Sequence, residues 1–369
     1  MAGPASVADC SERELIARIR GQLPAAPGWL LVGIGDDAAV VEPERNRVEV
    51  LTVDAVVEGI HFDRAFVPPA AIGHRALAVN LSDLAAMGAA PRLALLSMAL
   101  PASLPLAEFD AIAAGLAALA ARHRLHVVGG NLTRSPGPLM IDVTVMGTVK
   151  RRQALTRTGA RPGDDLYVSG SLGSARAGLA LLQSSVVSHQ PAVVSHDAEA
   201  GVTTETADGR LRVAFLRPEP RLALGIQLAR NRAASACMDL SDGLSDGLEQ
   251  MADASGVGMT IDLAALPIEP GTRAFFDARG QDPVAEALAG GDDYELLIAV
   301  RPRTQRRLAE ATRRGGVPLT RIGRCTAERG ITLRGAASTA LPQGFQHFGS
   351  PALREPRGIP SAEQRRVEE

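Results

Sequence analysis

The run 73–92, GHRALAVNLSDLAAMGAAPR, constrains this chain more than any other stretch. Good helix formers fill 74–87, Gly88 follows, and Pro91 lies just beyond, so the pattern predicts a helix ending near Met87. On a wheel of about 100° per residue, Leu77, Leu81 and Leu84 form one apolar stripe. Ala76, Asn80, Asp83 and Met87 lie beside the stripe, and Arg75, Ser82 and Ala86 point the other way. Asn80 and Asp83 therefore share a flank that is otherwise small or apolar. A carboxylate held on such a flank loses water and needs a partner. The neighbouring sequence offers few fixed cations.

The chain has 369 residues, more than one ordinary core holds, so two domains are expected. A basic connector, KRRQALTRTGARPGD, puts the boundary near residue 150. The expected division is an N-terminal domain over 1–150, a C-terminal α/β domain over 151–350, and a charged, Pro-containing tail over 351–369. A formal charge of −2 removes any bulk electrostatic argument for nucleic acid or an anionic membrane. With 3% aromatics, a base-stacking platform is not expected. No run of about 18 apolar residues is present to span a bilayer. The N-terminus has neither the basic start nor the apolar centre of a secretory signal. Cys10, Cys237 and Cys325 are far apart and form no CxxC, which suits a reducing cytoplasm.

Helices are expected over 11–20 (Ser11 as cap and Glu14 closing a capping box), 105–123, 174–183, 219–231, 243–254 and 303–314. Strands are expected over 47–54, 92–100, 125–130, 138–149, 165–169, 235–239 and 257–263. Both halves thus read as α/β (α+β). Residues 184–210 are polar, repeat VVSH, and read as a surface insertion; a metal pair at His189 and His196 is the weaker reading. The stretch after 263, rich in Pro, Gly and Glu, reads as a loop.

Five acidic groups sit where a strand or helix meets a glycine or turn: Asp36-Asp37, Asp54, Asp83, Asp239 with Asp242, and Asp292-Asp293. Any one of them alone reads as a cap or an Asx-turn. Together, with no His or Cys cluster beside them, they point to a hard cation, Mg²⁺ before Zn²⁺, and so to a polyphosphate substrate. GIGDDA superficially fits a dinucleotide fingerprint, but no helix follows it. There is no GxxxxGK[ST] P-loop and no kinase HRD or DFG set. Asn80-Leu81-Ser82-Asp83-Leu84 is echoed by Asp239-Leu240-Ser241-Asp242-Gly243, one copy in each half.

In this order, GIGDDAAVV, TVDAVVEGIHF, ALAVNLSDLAAMGAAP, GGNLTRSPGPL, ALTRTGARPGD, MDLSDGL and GGDDYEL resemble the thiamine-monophosphate kinase family. That family belongs to the aminoimidazole-ribonucleotide synthetase-like superfamily. The resemblance spans about Gly33 to Phe348. It implies a two-domain fold, a homodimer formed through the N-terminal domains, and a cleft holding ATP and several Mg²⁺ ions. The implied reaction is transfer of the γ-phosphoryl group of ATP to thiamine monophosphate. By motif position it assigns Asp37, Thr52, Asp54, Asp83, Asp239 and Asp242 to Mg²⁺, with Val53 through its backbone carbonyl. It assigns Gly130, Arg157 and Ser241 to ATP, and His61, Asp292 and Phe345 to thiamine monophosphate. Asn131 stands where the family has Asp, and is expected to give the metal and nucleotide one oxygen without a charge. Asp292 stands where the family has Glu. Asp83, Asp242 and Arg157 are the residues expected to carry catalysis. The alternatives are another ATP-using member of the superfamily or a catalytically weakened nucleotide-binding regulator.

Overall fold

The computed structural model describes residues 6–187, 204–335 and 341–344. The chain opens with α1 (Glu12–Gln22), where Ser11 and Glu14 form the expected capping box: Ser11 N–H donates to the Glu14 carboxylate at 2.7 Å, and Glu14 N–H donates back to Ser11 Oγ at 3.3 Å. Next come β1 (Leu30–Val32) and β2 (Val40–Val41), a small antiparallel ribbon. The first half then runs β3 (Val48–Val57), α2 (Pro69–Ala86), β4 (Ala90–Pro101), α3 (Leu106–Arg122), β5 (His126–Ser135) and β6 (Met140–Val149). Its four strands order as β3-β6-β4-β5, antiparallel except for the β4–β5 pair, which α3 connects as a crossover.

The second half runs β7 (Asp165–Ser169), α4 (Ser174–Val187), α5 (Ala207–Leu216), α6 (Leu222–Asn231), β8 (Ala236–Asp239), α7 (Leu244–Ser255) and β9 (Gly258–Asp262). It ends with α8 (Pro270–Asp277), α9 (Pro283–Ala289), β10 (Leu296–Val300), α10 (Gln305–Gly315), β11 (Leu319–Thr326) and β12 (Ile331–Arg334). These strands order as β12-β9-β11-β7-β10-β8, with only β12–β9 parallel. The molecule is thus an α/β (α+β) protein with one sheet per half.

The helix α2 is the hinge of the architecture. It starts at Pro69, four residues before the expected run, because proline at the first helical turn sacrifices no intrahelical bond. Leu77, Leu81 and Leu84 are fully buried, as the stripe requires. The opposite side is buried too: Arg75 is 2% exposed and Ser82 0%. A helix enclosed on all sides is a core element. Here α2 packs on β3 and α3 of its own half and on α6 and β8 of the other. The crossing with α3 is close. A Cβ at Gly73 would lie 1.9 Å from the Ile112 carbonyl oxygen, and one at Gly115 would lie 1.9 Å from that of Ala70.

Three helices appear where none is expected. Residues 270–277 and 283–289 read as a Pro-rich loop, yet Pro270 and Pro283 occupy the first turns of α8 and α9, and Asp282 caps the latter. The polar segment 184–210 is helical at both described ends: α4 continues to Val187, and α5 begins at Ala207 under a Thr206 cap. His189 and His196 lie outside the described residues, as does the tail. β5 also runs five residues past the glycine pair, because pairing with β4 carries it from Asn131 to Ser135.

Candidate active site

The carboxylate of Asp83 faces β3. Thr52 and Asp54 are two apart on that strand and so share a side, and the Thr52 hydroxyl donates to Asp83 Oδ2. Asn80, one turn earlier on α2, fastens the same strand: its Oδ1 accepts the Asp54 N–H at 3.0 Å, and its Nδ2 donates to the Ala76 carbonyl at 3.1 Å. The polar flank of α2 is therefore a seam between helix and strand edge.

Ser82 turns to the second half, where its hydroxyl donates to Asp239 Oδ2 at 2.7 Å. The two echoed motifs are thus in contact. Asp239 ends β8, pairing with Leu296 of β10, and is 5% exposed. Asp242 and Ser241 follow in the turn before α7.

Asp54, Asp83, Asp239, Asp242, Ser241 and Arg157 line one cleft of about 560 Å³ between the two halves. His61 and Asp292 line it as well, and Phe62, Phe66, Leu179 and Phe215 give it an apolar wall. Desolvation, then repulsion from Asp83 and Asp239, pushes the Asp54 carboxyl up to about 7. Desolvation and the Asp83 charge push Asp239 up to about 6. Burial also raises Asp83, against the Thr52 hydrogen bond and the Arg157 charge, which favour its anion. Asp54 stays open to solvent, so the part of its shift that stands out is the crowding of like charges, which a cation would relieve. Arg157 supplies one positive charge, held by a 2.5 Å bond from Nη1 to Gln250 Oε1.

The loop before β10 is built under strain. Asp292 (φ 67°) and Tyr294 (φ 50°) both adopt the left-handed conformation, which bulky residues rarely take. Their surroundings hold them there. Asp292 N–H donates to the Ser241 carbonyl at 2.7 Å and Tyr294 N–H to that of Leu240 at 3.0 Å. Arg75 Nη2 and the Tyr294 hydroxyl both donate to Asp292 Oδ1, at 2.9 and 3.1 Å. The adjacent Asp293 points elsewhere: it accepts the Gly173 N–H at 2.8 Å, and burial pushes its carboxyl up to about 8. The Asp292-Asp293 pair therefore splits, one residue to the cleft and one to the start of α4.

His61 accepts the Val57 N–H at Nδ1 (3.0 Å), which puts the neutral ring's proton on Nε2.

Other expected residues lie outside this cleft. Val53 points to the opposite face of the sheet, 55% exposed. Asp37 is exposed in the turn after β1, its N–H bonded to Asp36 Oδ1 at 2.8 Å. Gly130 and Asn131 sit on β5, at the other edge of the sheet from β3. A Cβ at Gly130 would meet the Leu96 carbonyl oxygen at 1.8 Å, so that strand tolerates no side chain there. Phe345 is outside the described residues. Among the described residues, no three His, Cys, Asp or Glu side chains form a ready-made metal cage. The donor chemistry nonetheless fits Mg²⁺, which keeps several waters and is usually held by one or two carboxylates together with substrate phosphates.

Neither Arg75 nor Tyr294 carries a functional signal in the sequence, and Asn80 and Ser82 stand out there only through the helix wheel and the echoed motif. The polar identity of Asn80 and Ser82 inside an apolar helix was the available signal. Arg75 pairs with a residue 217 positions away, which no local pattern reveals.

Residues 35–149 match the family described as AIR synthase related protein, N-terminal domain, and residues 161–336 match its C-terminal domain. The thiamine-monophosphate kinase of Escherichia coli is 36% identical over 349 residues, covering 93% of this chain and 99% of that protein. The crystal structure of thiamine-monophosphate kinase from Stenotrophomonas maltophilia superposes with a TM-score of 0.76 at 38% identity, over 89% of this chain and 98% of that one. The structure of AaThiL complexed with AMPPCP and TMP superposes with a TM-score of 0.71 at 30% identity, over 94% and 100%. With both halves matched in order and the relatives matched over nearly their whole length, the chain belongs to the thiamine-monophosphate kinase family of AIR synthase related proteins.

Proposed function

We propose that this chain transfers the γ-phosphoryl group of ATP directly to the phosphate of thiamine monophosphate, giving thiamine diphosphate and ADP. The observation that carries the reading is the meeting of Asp54, Asp83 and Asp239, from three elements and both halves, in one cleft with Arg157. The names of the relatives, and the AMPPCP and TMP bound by AaThiL, support the same chemistry.

Asp54, Asp83, Asp239 and Asp242 would hold Mg²⁺, with Thr52 orienting Asp83. Bound Mg²⁺ supplies positive charge to the phosphoryl oxygens. Arg157 adds a fixed charge against the repulsion between the two anionic substrates, and Ser241 offers a hydroxyl at the same turn. The accepting phosphate is already ionised near neutral pH, its second pKa being about 6. No general base is required, so catalysis rests on positioning and charge neutralisation. His61 and Asp292 contact thiamine monophosphate, whose rings lie against the apolar wall. The Arg75 and Tyr294 bonds hold the Asp292 carboxylate in place for that role.

The working unit is a homodimer. The sheet face away from α2 exposes Leu51 (62%), Val53 (55%) and Leu95 (42%), an apolar patch suited to a second copy. Asp37, Gly130 and Asn131 lie outside the cleft of their own chain, and a second copy is the route by which they complete a nucleotide site. Among the described residues no helix is long and apolar enough to cross a membrane, and the three cysteines are free, in keeping with work in the cytoplasm. Phosphorus NMR of a reaction mixture tests the chemistry: the diphosphate doublet of thiamine diphosphate should grow as the monophosphate signal falls. A phosphorylated Ser or His on the enzyme during turnover would overturn direct transfer. Sedimentation of wild type and Leu51→Asp tests the dimer: two copies and one, respectively, are expected.

A further inference from the structure

A second cleft, of about 710 Å³, opens at the other end of β3. Arg47 at its wall and Asp54 in the first cleft are seven residues apart on an extended strand, or roughly 23 Å. Five arginines line this second cleft, Arg45, Arg47, Arg92, Arg124 and Arg230, against two glutamates, Glu42 and Glu44. They come from the turn before β3, from β4, from the turn after α3 and from α6, so both halves contribute. Arg47 is committed: it pairs with Glu44 at 3.1 Å and donates to the Thr148 hydroxyl at 2.9 Å. Arg45, Arg124 and Arg230 make no ion pair among the described residues.

Arg92 is the telling member. It is 9% exposed, and its guanidinium stacks 4.5 Å above the ring of Trp29, which lines the same cleft. Its Nη2 donates to the Glu42 carbonyl, while its Nη1 is buried with no hydrogen-bond partner among the described residues. A buried charged donor without an acceptor is disfavoured. Nη1 is enclosed and out of a ligand's direct reach, so Arg92 adds its charge to the floor of the cleft, while the three uncommitted arginines at the rim can contact a multivalent anion. Guanidinium forks match phosphate oxygens in pairs.

The geometry points to a second ligand site, separate from the carboxylate cleft, that binds the diphosphate group of a small phosphorylated molecule between Arg92, Arg124 and Arg230. Trp29 is the single tryptophan of the chain, so its fluorescence reports on this cleft alone. The test titrates the full-length protein, free of divalent metal and at constant ionic strength, with inorganic pyrophosphate, ADP and thiamine diphosphate. A saturable change in Trp29 emission is expected with pyrophosphate, weakened about tenfold or more in both Arg124→Ser and Arg230→Ser, and unchanged in Asp83→Asn. Arg92→Met should abolish the change, and the two rim variants keep the test decisive if that buried substitution unfolds the protein. Tighter binding of ADP or of thiamine diphosphate identifies the molecule that carries the group, while equal binding means the site reads the diphosphate alone. No saturable change, an equal response to sulfate, or affinity untouched in Arg124→Ser and Arg230→Ser would overturn the proposal.

Discussion

At the scale of single residues, the cleft is a place where charges are held closer than water would allow. Asp83→Asn removes one of three crowded carboxylates while leaving the volume and the Thr52 hydrogen bond nearly intact. Activity should fall at least about 100-fold, or ~3 kcal/mol of transition-state stabilisation, while the melting temperature in metal-free buffer holds or rises as repulsion is relieved. A coupled ADP assay and a thermal melt on the same sample check both. His74 provides a stability switch away from this chemistry. It is 8% exposed, its Nε2 meets the Pro218 carbonyl at 2.9 Å, and burial pulls the imidazole down to about 4 from 6.5. Between those two values the unfolded chain binds a proton that the folded chain refuses. The contribution is therefore complete above pH 6.5 and is lost as pH falls toward 4, by up to ~3 kcal/mol. Asp54, Asp239 and Asp293 are shifted upward and oppose this slope, so the check is a difference: urea titrations at pH 7 and pH 5 should show wild type losing stability relative to His74→Gln at the lower pH. His123 and His126 are shifted in the same direction as His74 and, being present in both proteins, cancel in that difference.

At the scale of elements, α2 sets the spacing of everything around it. Gly73→Ala drives a methyl group into the Ile112 carbonyl, and because the contact is backbone on the far side it cannot be relieved by a rotamer change. A loss of ~1–3 kcal/mol is expected from overpacking, measurable as a lower urea midpoint, with α2 displaced from α3. The α2 run was readable from its own residues because a leucine stripe, small residues and a terminal glycine agree. The second-half helices α8 and α9 were not. Their prolines look like loop punctuation until the first-turn position is known, and seven or eight residues carry little periodicity. β5 outruns its sequence signal for a related reason: Gly129, Gly130 and Asn131 argue locally against a strand, and the register with β4 overrides them. The acidic groups of the site were legible because strand ends and glycine turns mark them. Arg75 and the strained Asp292-Tyr294 turn were not, since their meaning lies in contacts across the whole chain.

At the scale of the molecule, the cleft exists only because two sheets, one from each half, meet over a shared helix. Asp54 and Asp83 belong to the first half and Asp239 to the second, with Ser82 bonded across the junction. The division of labour follows: neither half alone brings the three carboxylates together. The central claim is that this shared acidic cleft carries Mg²⁺-dependent phosphoryl transfer between ATP and thiamine monophosphate. The most direct measurement is ADP release by the full chain with ATP, with and without thiamine monophosphate, over a series of Mg²⁺ concentrations that includes chelation by EDTA. ADP should appear only when both thiamine monophosphate and Mg²⁺ are present, in step with thiamine diphosphate. ADP release indifferent to thiamine monophosphate, or turnover undiminished by EDTA, would contradict the account.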